Sequence, residues 1–361
     1  MKNSIDEIDE IDVIDEIFDD ELDSEVNTLP PSTIGVSDEV TNDILDLPVR
    51  EKYFNNLHVN AYDQLVFAIG TLGYDFITEA KRDYFITAMN DHEIKNGKLY
   101  NFNSPLDQSL VFQAKKLSKF LLHGDNIESS NNLHWTINQN GIPIYVICPN
   151  GAFAQKQYYR LVEFLHDQNE DTQDDQKNDI RHDPSKLIKV GIQGKIVGMA
   201  KLFTGQTVPV IEPVLRGMTL WNSDALYGSI ENNLLSEIKD RDPDLIKSDF
   251  LKLLNRIFCE MENDGTSSES RAINYVATNI HQMGQVFSLA IREGLQLSQI
   301  SCVESDIKRD GIVMYDVDLV CFDPLDNRKA RKTYRQTVDV SDISPVFVGG
   351  MREWYTDGHN L

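Results

Sequence analysis

Residues 313–340 read VMYDVDLVCFDPLDNRKARKTYRQTVDV. Apolar and polar residues alternate through VMYDVDLVCF (313–322) and again through KTYRQTVDV (332–340), the period of two of a strand with one face buried. Between them DPLDN (323–327) supplies the Asp and Pro residues of a turn. The stretch predicts consecutive antiparallel strands in a meander.

Upstream of the meander the period changes to that of a helix. Thr266 with Glu269 three residues later makes a capping box. It opens a run whose apolar face would be Ala272, Val276, Ile280, Met283, Phe287 and Ile291, ending at Gly294. Another helix is expected before it. Earlier still, KVGIQGKIVGMAKLFTGQTVPVIEP (189–213) alternates apolar and small residues around a Gly-containing turn and predicts a β-hairpin. Antiparallel sheets with helices packed on one side give an α+β fold.

The first half of the chain repeats the mixture. QLVFAIG (64–70) is a buried apolar element, Asp75–Met89 has helical spacing through Phe76, Ala80, Tyr84 and Met89, and Asp107–His123 is a helix with Gly124 as its C-terminal cap. IPIYVICP (142–149) is a strand, and AFAQKQYYRLVEFLHD (152–167) a helix. The polar segment 168–185 is nearly free of apolar residues and is expected to link two subdomains, 47–167 and 186–361. At the start, Ile5, Ile8, Ile11, Ile14 and Phe18 recur at spacings of three and four among Asp and Glu. Residues 1–26 are thus an acidic tail or helix with one apolar stripe suited to docking, and 27–46, with Pro30 and Pro31, a linker.

Composition narrows the function. The sequence has 361 residues and a formal net charge of −24, which disfavours a phosphate-backbone partner, so no nucleic acid is expected. No apolar run approaches the roughly 20 residues that cross a bilayer, and the acidic start is unlike a signal peptide; a cytoplasmic protein without a membrane partner is expected. Cys148, Cys259, Cys302 and Cys321 are scattered and the histidines stand singly. Reduced thiols, no metal and no cofactor follow.

Catalytic motifs are missing. GTSS (265–268) fits a helix cap better than a nucleophile loop, and no G-x-S-x-G, Walker-type loop or H-E-x-x-H occurs. Gly70 and Gly73 lack the third glycine of a dinucleotide fingerprint and predict a tight turn. Three polar groupings are candidates for binding. Arg271, Asn274, Thr278, Gln282 and Gln285 recur at helical spacing and could line a groove for peptide main chain, or bond buried backbone or face water. Glu212 and Arg216 follow a strand near an expected turn, and Asp75, Glu79 and Arg82, next to Tyr74, are spaced for local ion pairing.

Six segments carry a resemblance: AIGTLGYDFITEAKRD (68–83), LHWTINQNGIPIYVICPNGAFA (133–154), FTGQTVPVIEPVLRGM (203–218), LLNRIFCEMENDGTSSESRAINYVATN (253–279), CFDPLDNRKARKTYRQTVDVSD (321–342) and VGGMREW (348–354). In this order they resemble the domain of unknown function that follows the subtilisin-like protease in cyanobactin maturation proteases of the PatA/PatG type. The resemblance implies a setting in which a ribosomally made peptide loses its leader and is modified or macrocyclised. Proteolysis in that family belongs to the separate protease domain, which is not recognised in this sequence, so no catalytic residue carries over. A cysteine pair that the family places ahead of the strand at 314–322 is replaced here by residues such as Lys308 and Val313. The expectation is a non-catalytic accessory or scaffold protein that binds a precursor peptide, a maturation enzyme or, as a homodimer, itself. Its rivals are a peptide-modifying enzyme using Glu212, Arg216, Arg271 and Asn274, and a structural dimerisation module.

Overall fold

The computed structural model describes residues 64–96, 106–169, 187–237, 242–260, 262–279, 286, 288–326 and 328–356. The docking stripe Ile5, Ile8, Ile11, Ile14 and Phe18 lies outside them. Among them no helix is long and apolar enough to cross a membrane.

The hairpin expected at 189–213 is the long antiparallel pair β4 (Ile188–Lys201) and β5 (Thr207–Asn222). β1 (Leu65–Asp75) pairs with β4 through residues 65–70 and with β2 (His134–Gln139) through 71–75. β2 turns into β3 (Ile142–Ile147) at Asn140 and Gly141, both at positive φ (49° and 78°), the backbone that a two-residue hairpin turn demands. β3 then meets β5 in parallel, Val146 beside Val210 and Ile147 beside Ile211, and the five strands close into a barrel. The subdomain boundary expected at 168–185 therefore does not separate the sheets: β4 and β5 lie beyond it and complete the barrel begun by β1.

The second sheet is the expected meander, in the order β6 (Gln296–Glu304), β7 (Met314–Phe322), β8 (Arg331–Asp339) and β9 (Val346–Thr356). Helices α1 (Glu79–Lys95), α2 (Ala114–Leu122) and α3 (Ala154–Asn169) pack with barrel residues, while α4 (Ser223–Glu237), α5 (Pro243–Glu260) and α6 (Ser268–Thr278) share a core with the meander. Alternation along β1 serves both cores. Val66, Ala68 and Leu72 join Trp135, Ile137, Ile192 and the helical Phe85, Leu121 and Leu161. Phe67 and Ile69 point the other way, to Phe250, Leu254, Val276, Val317, Leu319 and Tyr334. Each Val, Leu, Ile or Phe side chain among them gains about 1.5–3 kcal/mol from burial.

Several local expectations change. α1 starts four residues later than predicted, because Ile77 takes a positive φ (68°) and Thr78 caps, its side chain accepting from Lys81 N. Its buried face is Phe85, Ile86 and Met89; Tyr84 is half exposed. The helix expected at 107–123 is a short 3-10 turn (Leu110–Phe112) and then α2, interrupted where Gln113 is extended. The long helix expected to reach Gly294 breaks at Asn279, where ψ is 84°, and is helical again at 288–292. Its cap is Ser267, whose Oγ accepts from Ser270 N at 3.0 Å, not Thr266.

Gly70 and Gly73 form no turn. Both lie inside β1 where β2 crosses closely: a Cβ at Gly70 would sit 2.5 Å from the Asn138 carbonyl oxygen, and one at Gly73 2.4 Å from Asn138 Nδ2. The ion pairing expected among Asp75, Glu79 and Arg82 is also replaced. Asp75 accepts from Ile77 N (2.8 Å) and Phe203 N (3.1 Å), and Arg82 pairs with Asp83 (3.1 Å) and lies over the Phe203 ring. Tyr74 donates to the Val111 carbonyl (2.7 Å), and burial pushes its phenol pKa up.

Loop 262–267, ahead of α6, is clamped to the barrel by main-chain bonds. Phe67 N donates to the Gly265 carbonyl (2.9 Å), Gln139 Nε2 donates to the carbonyls of Asn263 (2.8 Å) and Ile69 (3.1 Å), and the Tyr145 hydroxyl to that of Asp264 (2.6 Å). Asn274, fully buried on α6, completes the clamp: its Nδ2 donates to the Phe67 carbonyl (2.7 Å), and its amide exchanges 2.9 Å bonds with that of Asn263. Gly265 (φ +71°) leaves no room for a side chain, as a Cβ would lie 2.1 Å from the Phe67 carbonyl oxygen.

Replacing Asn274 by Ala leaves the buried Phe67 carbonyl and the half-buried Asn263 amide without this partner and is expected to cost about 2–4 kcal/mol. Gly265→Ala should cost about 3 kcal/mol or more, through the clash and the left-handed backbone. Urea denaturation of both variants measures this. A loss below about 1 kcal/mol in each would show that the clamp is dispensable.

Candidate functional site

The polar row predicted on α6 is not a surface row. Arg271 is 4% exposed and donates from Nη2 to the Asp342 carbonyl; burial lowers its pKa, against the opposing pull of Asp342. Asn274 is spent on the clamp, and the Thr278 hydroxyl donates to the Asn274 carbonyl (2.7 Å). Gln282 and Gln285 lie outside the described residues. Of the readings open in the sequence, bonding to backbone is the one realised at Arg271 and Asn274, to a buried carbonyl in the case of Asn274.

Glu212 and Arg216 are not at a turn after a strand but within β5. Glu212 stands opposite Lys195 and is half-buried, while Arg216 is exposed in a bulge where residues 214–217 face the single residue Gln193. No bond among the described residues joins either of them to Arg271 or Asn274. The bonds of these side chains do not tie the four candidates into one group.

A different set of polar side chains does converge, on the meander. Period two puts Val317, Leu319 and Cys321 of β7 against the helices, so Asp316 and Asp318 face the opposite side of the sheet. Register places Arg335 of β8 opposite Asp318 and Arg352 of β9 opposite Arg335. Arg335 grips Asp318 through Nε and Nη2 (2.6 Å each) and reaches Asp316 through Nη1 (3.2 Å). The Asp318 bond holds the Arg335 pKa above its ordinary value. Two like charges directly opposite one another repel. Asp316 offsets this: its side chain, 6% exposed, also accepts from Thr337 Oγ1 (2.6 Å) and lies 3.5 Å from Arg352 Nη2.

Beside this network Trp354 stacks on the Arg335 guanidinium, 5.0 Å from ring centre to Cζ, and stays 37% exposed. On the helix side of the same strands Lys332 is nearly buried, bonded to Glu293 (2.7 Å), 3.4 Å from Glu353 and flanked by the rings of Tyr334 and Tyr355. Burial opposes the charge on Lys332, but the Glu293 bond and the Tyr334 contact raise its pKa overall. The alternation DVD (316–318) was legible in the sequence as a polar face. Its partners Arg335 and Arg352 become visible only with the register.

β9 is the edge of this sheet, and among the described residues no strand pairs with its outer side. Arg352, Glu353, Trp354 and Tyr355 are all exposed along it. The site is thus an open strand edge with guanidinium and aromatic groups, a surface that can recognise extended main chain.

The three thiols with described side chains are poorly suited to covalent chemistry. Burial pushes each of Cys148, Cys302 and Cys321 up to about 12, Glu212 adding to the shift at Cys148, and Glu269, Asp318 and Asp316 at Cys302. Among the described residues no three His, Cys, Asp or Glu side chains are grouped to hold a metal ion. At pH 8 the reactive thiolate is then a minor form of each. Iodoacetamide should therefore leave these three cysteines unlabelled in the folded protein and label them after denaturation, read by peptide mass mapping. Rapid labelling of Cys302 in the native protein would contradict the assignment.

Comparison with known proteins gives a consistent result. The model of the PatG domain matches residues 65–198 and that of the PatG C-terminal domain residues 242–354, together more than half of the chain. A solved structure titled "PatG Domain of Unknown Function" superposes with a TM-score of 0.64 at 28% identity, covering 81% of this chain and all of that one. No curated protein matches significantly. Strands β1 to β3, most of β4, the clamp helix α6 and all of the meander but its last two residues fall within the matched segments. The chain belongs to the family of PatG domains of unknown function.

Proposed function

We propose that this protein is a non-catalytic binding module in the maturation of a ribosomally synthesised, cyanobactin-like peptide, holding the precursor in the cytoplasm for the enzymes that cut or cyclise it. The observation that carries the reading is the open β9 edge, where Arg352, Trp354 and Tyr355 are exposed beside a strand with no outer partner among the described residues. Strand edges capture extended peptides through main-chain bonds, and exposed aromatic side chains anchor them. The bonds that occupy Arg271 and Asn274, and the burial that disfavours the thiolate at Cys148, Cys302 and Cys321, support a role without covalent chemistry. The apolar stripe Ile5, Ile8, Ile11, Ile14 and Phe18 of the acidic N-terminal segment offers a second contact, to a maturation enzyme.

The test combines a binding titration of the purified protein against the pathway's precursor peptide with intact-mass spectrometry of the mixture. Binding without a mass change is expected, and Trp354→Ala should weaken it by about tenfold or more. A mass change produced by this protein alone would make it an enzyme. Undiminished binding by the variant would move the site away from β9.

A further inference from the structure

The site at β9 can be read for the kind of peptide it fits, an inference that rests on the peptide-binding reading. The regular part of the edge is short. β8 and β9 pair without interruption from Arg331 opposite Thr356 to Arg335 opposite Arg352, and then the register shifts. Gln336 alone faces residues 349–351, and Gly349 turns to φ +73°. Such a bulge ends the straight edge. A fifth strand therefore has Arg352–Thr356 to pair with, room for about five residues.

Any strand added there places a residue directly opposite each of these positions, on the same face of the sheet and with Cβ atoms about 5 Å away. On the open face the row runs Asp318, Arg335, Arg352, so it ends in a cation facing outward. Arg352 has Thr337 and Asp316 on its inner side only, and its side chain is 53% exposed. A carboxylate across the edge would complete the row. On the helix side Glu353 ends the row behind Tyr334, shares Lys332 with Glu293 and is 48% exposed, so a cation fits opposite it. Trp354 and Tyr355, 37% and 63% exposed, offer apolar surface to the next two positions.

A second copy of the chain does not satisfy this pattern. When β9 pairs antiparallel with itself about a two-fold axis, opposite residues share a face, so Arg352 meets Gly350, Arg352, Trp354 or Thr356 of the other copy and never Glu353. In none of these registers does Arg352 meet a carboxylate, so the charges of the edge are not complementary to a second copy.

We infer that β9 accepts an extended peptide as a fifth, antiparallel strand, read from its N-terminus as apolar, apolar, basic, acidic, with the acidic residue opposite Arg352 and the basic one opposite Glu353. The antiparallel direction follows the rest of the sheet, in which every pair is antiparallel.

The test uses two synthetic peptides of about twelve residues and identical composition, one with Val-Phe-Lys-Glu at its centre and the other with Val-Phe-Glu-Lys, titrated against the full chain by calorimetry. Two cross-strand charge pairs change from attractive to repulsive between them, so the first should bind about tenfold tighter. The double variant R352E/E353R should reverse the preference, with near-ultraviolet circular dichroism as its folding check. Equal affinity of the unmodified protein for both peptides would overturn the inference while leaving peptide binding intact, and this outcome does not depend on the variant. Failure of both peptides and of the precursor to bind would overturn the underlying reading as well.

Discussion

The carbonyl and amide of Phe67 hold two halves of the molecule in register. On one side of the chain at this point β1 pairs with β4; on the other, where β2 has not yet begun to pair, its main chain is bonded by Gly265 and Asn274. A buried strand edge left unpaired would cost about 1–3 kcal/mol per group. Loop 262–267 and the Asn274 amide take the place of a missing strand, and in doing so bring α6 and the meander against Phe67 and Ile69. The same device recurs at Leu72, where the Gln168 side chain bonds both the amide (2.8 Å) and the carbonyl (3.0 Å). Polar side chains that look available for a ligand in the sequence are substitutes for backbone.

This explains the uneven legibility of the sequence. Strands β7 and β8 could be read because their alternation and turn are local, and the β4–β5 hairpin for the same reason. Barrel closure could not, since it rests on Val146 beside Val210, positions joined by no periodic pattern. Asn140-Gly141 was a usable hairpin signal between β2 and β3. At Asn274 the residue type was informative and its direction was not: its acceptor is 207 residues away in sequence. An Asn at helical spacing beside an apolar stripe serves a buried carbonyl or a groove equally well until that acceptor is known.

The meander distributes charge in a way that composition conceals. With a formal charge of −24 the whole protein is strongly acidic, yet the open face of the second sheet alternates Asp316 and Asp318 with Arg335 and Arg352 in near balance. Such balance keeps Trp354 and the strand edge from being screened by the general negative field, and it lets short-range pairing rather than net charge govern what approaches. On the other side of the strands Lys332, itself buried, is shared by two glutamates.

Closure of the barrel also has an order in time. β1 is synthesised first among the barrel strands, while β4, its partner along 65–70, follows after more than a hundred residues, and the clamp of loop 262–267 later still. During translation at roughly 5–20 residues per second, Phe67 and Ile69 wait many seconds for the surface that covers them. Their long-range contacts make folding slow by topology. Until β4 and loop 262–267 have been made, the apolar side chains of β1 lack part of the surface that covers them, and transiently exposed apolar surface and unpaired strand edges are what make a growing chain prone to aggregate.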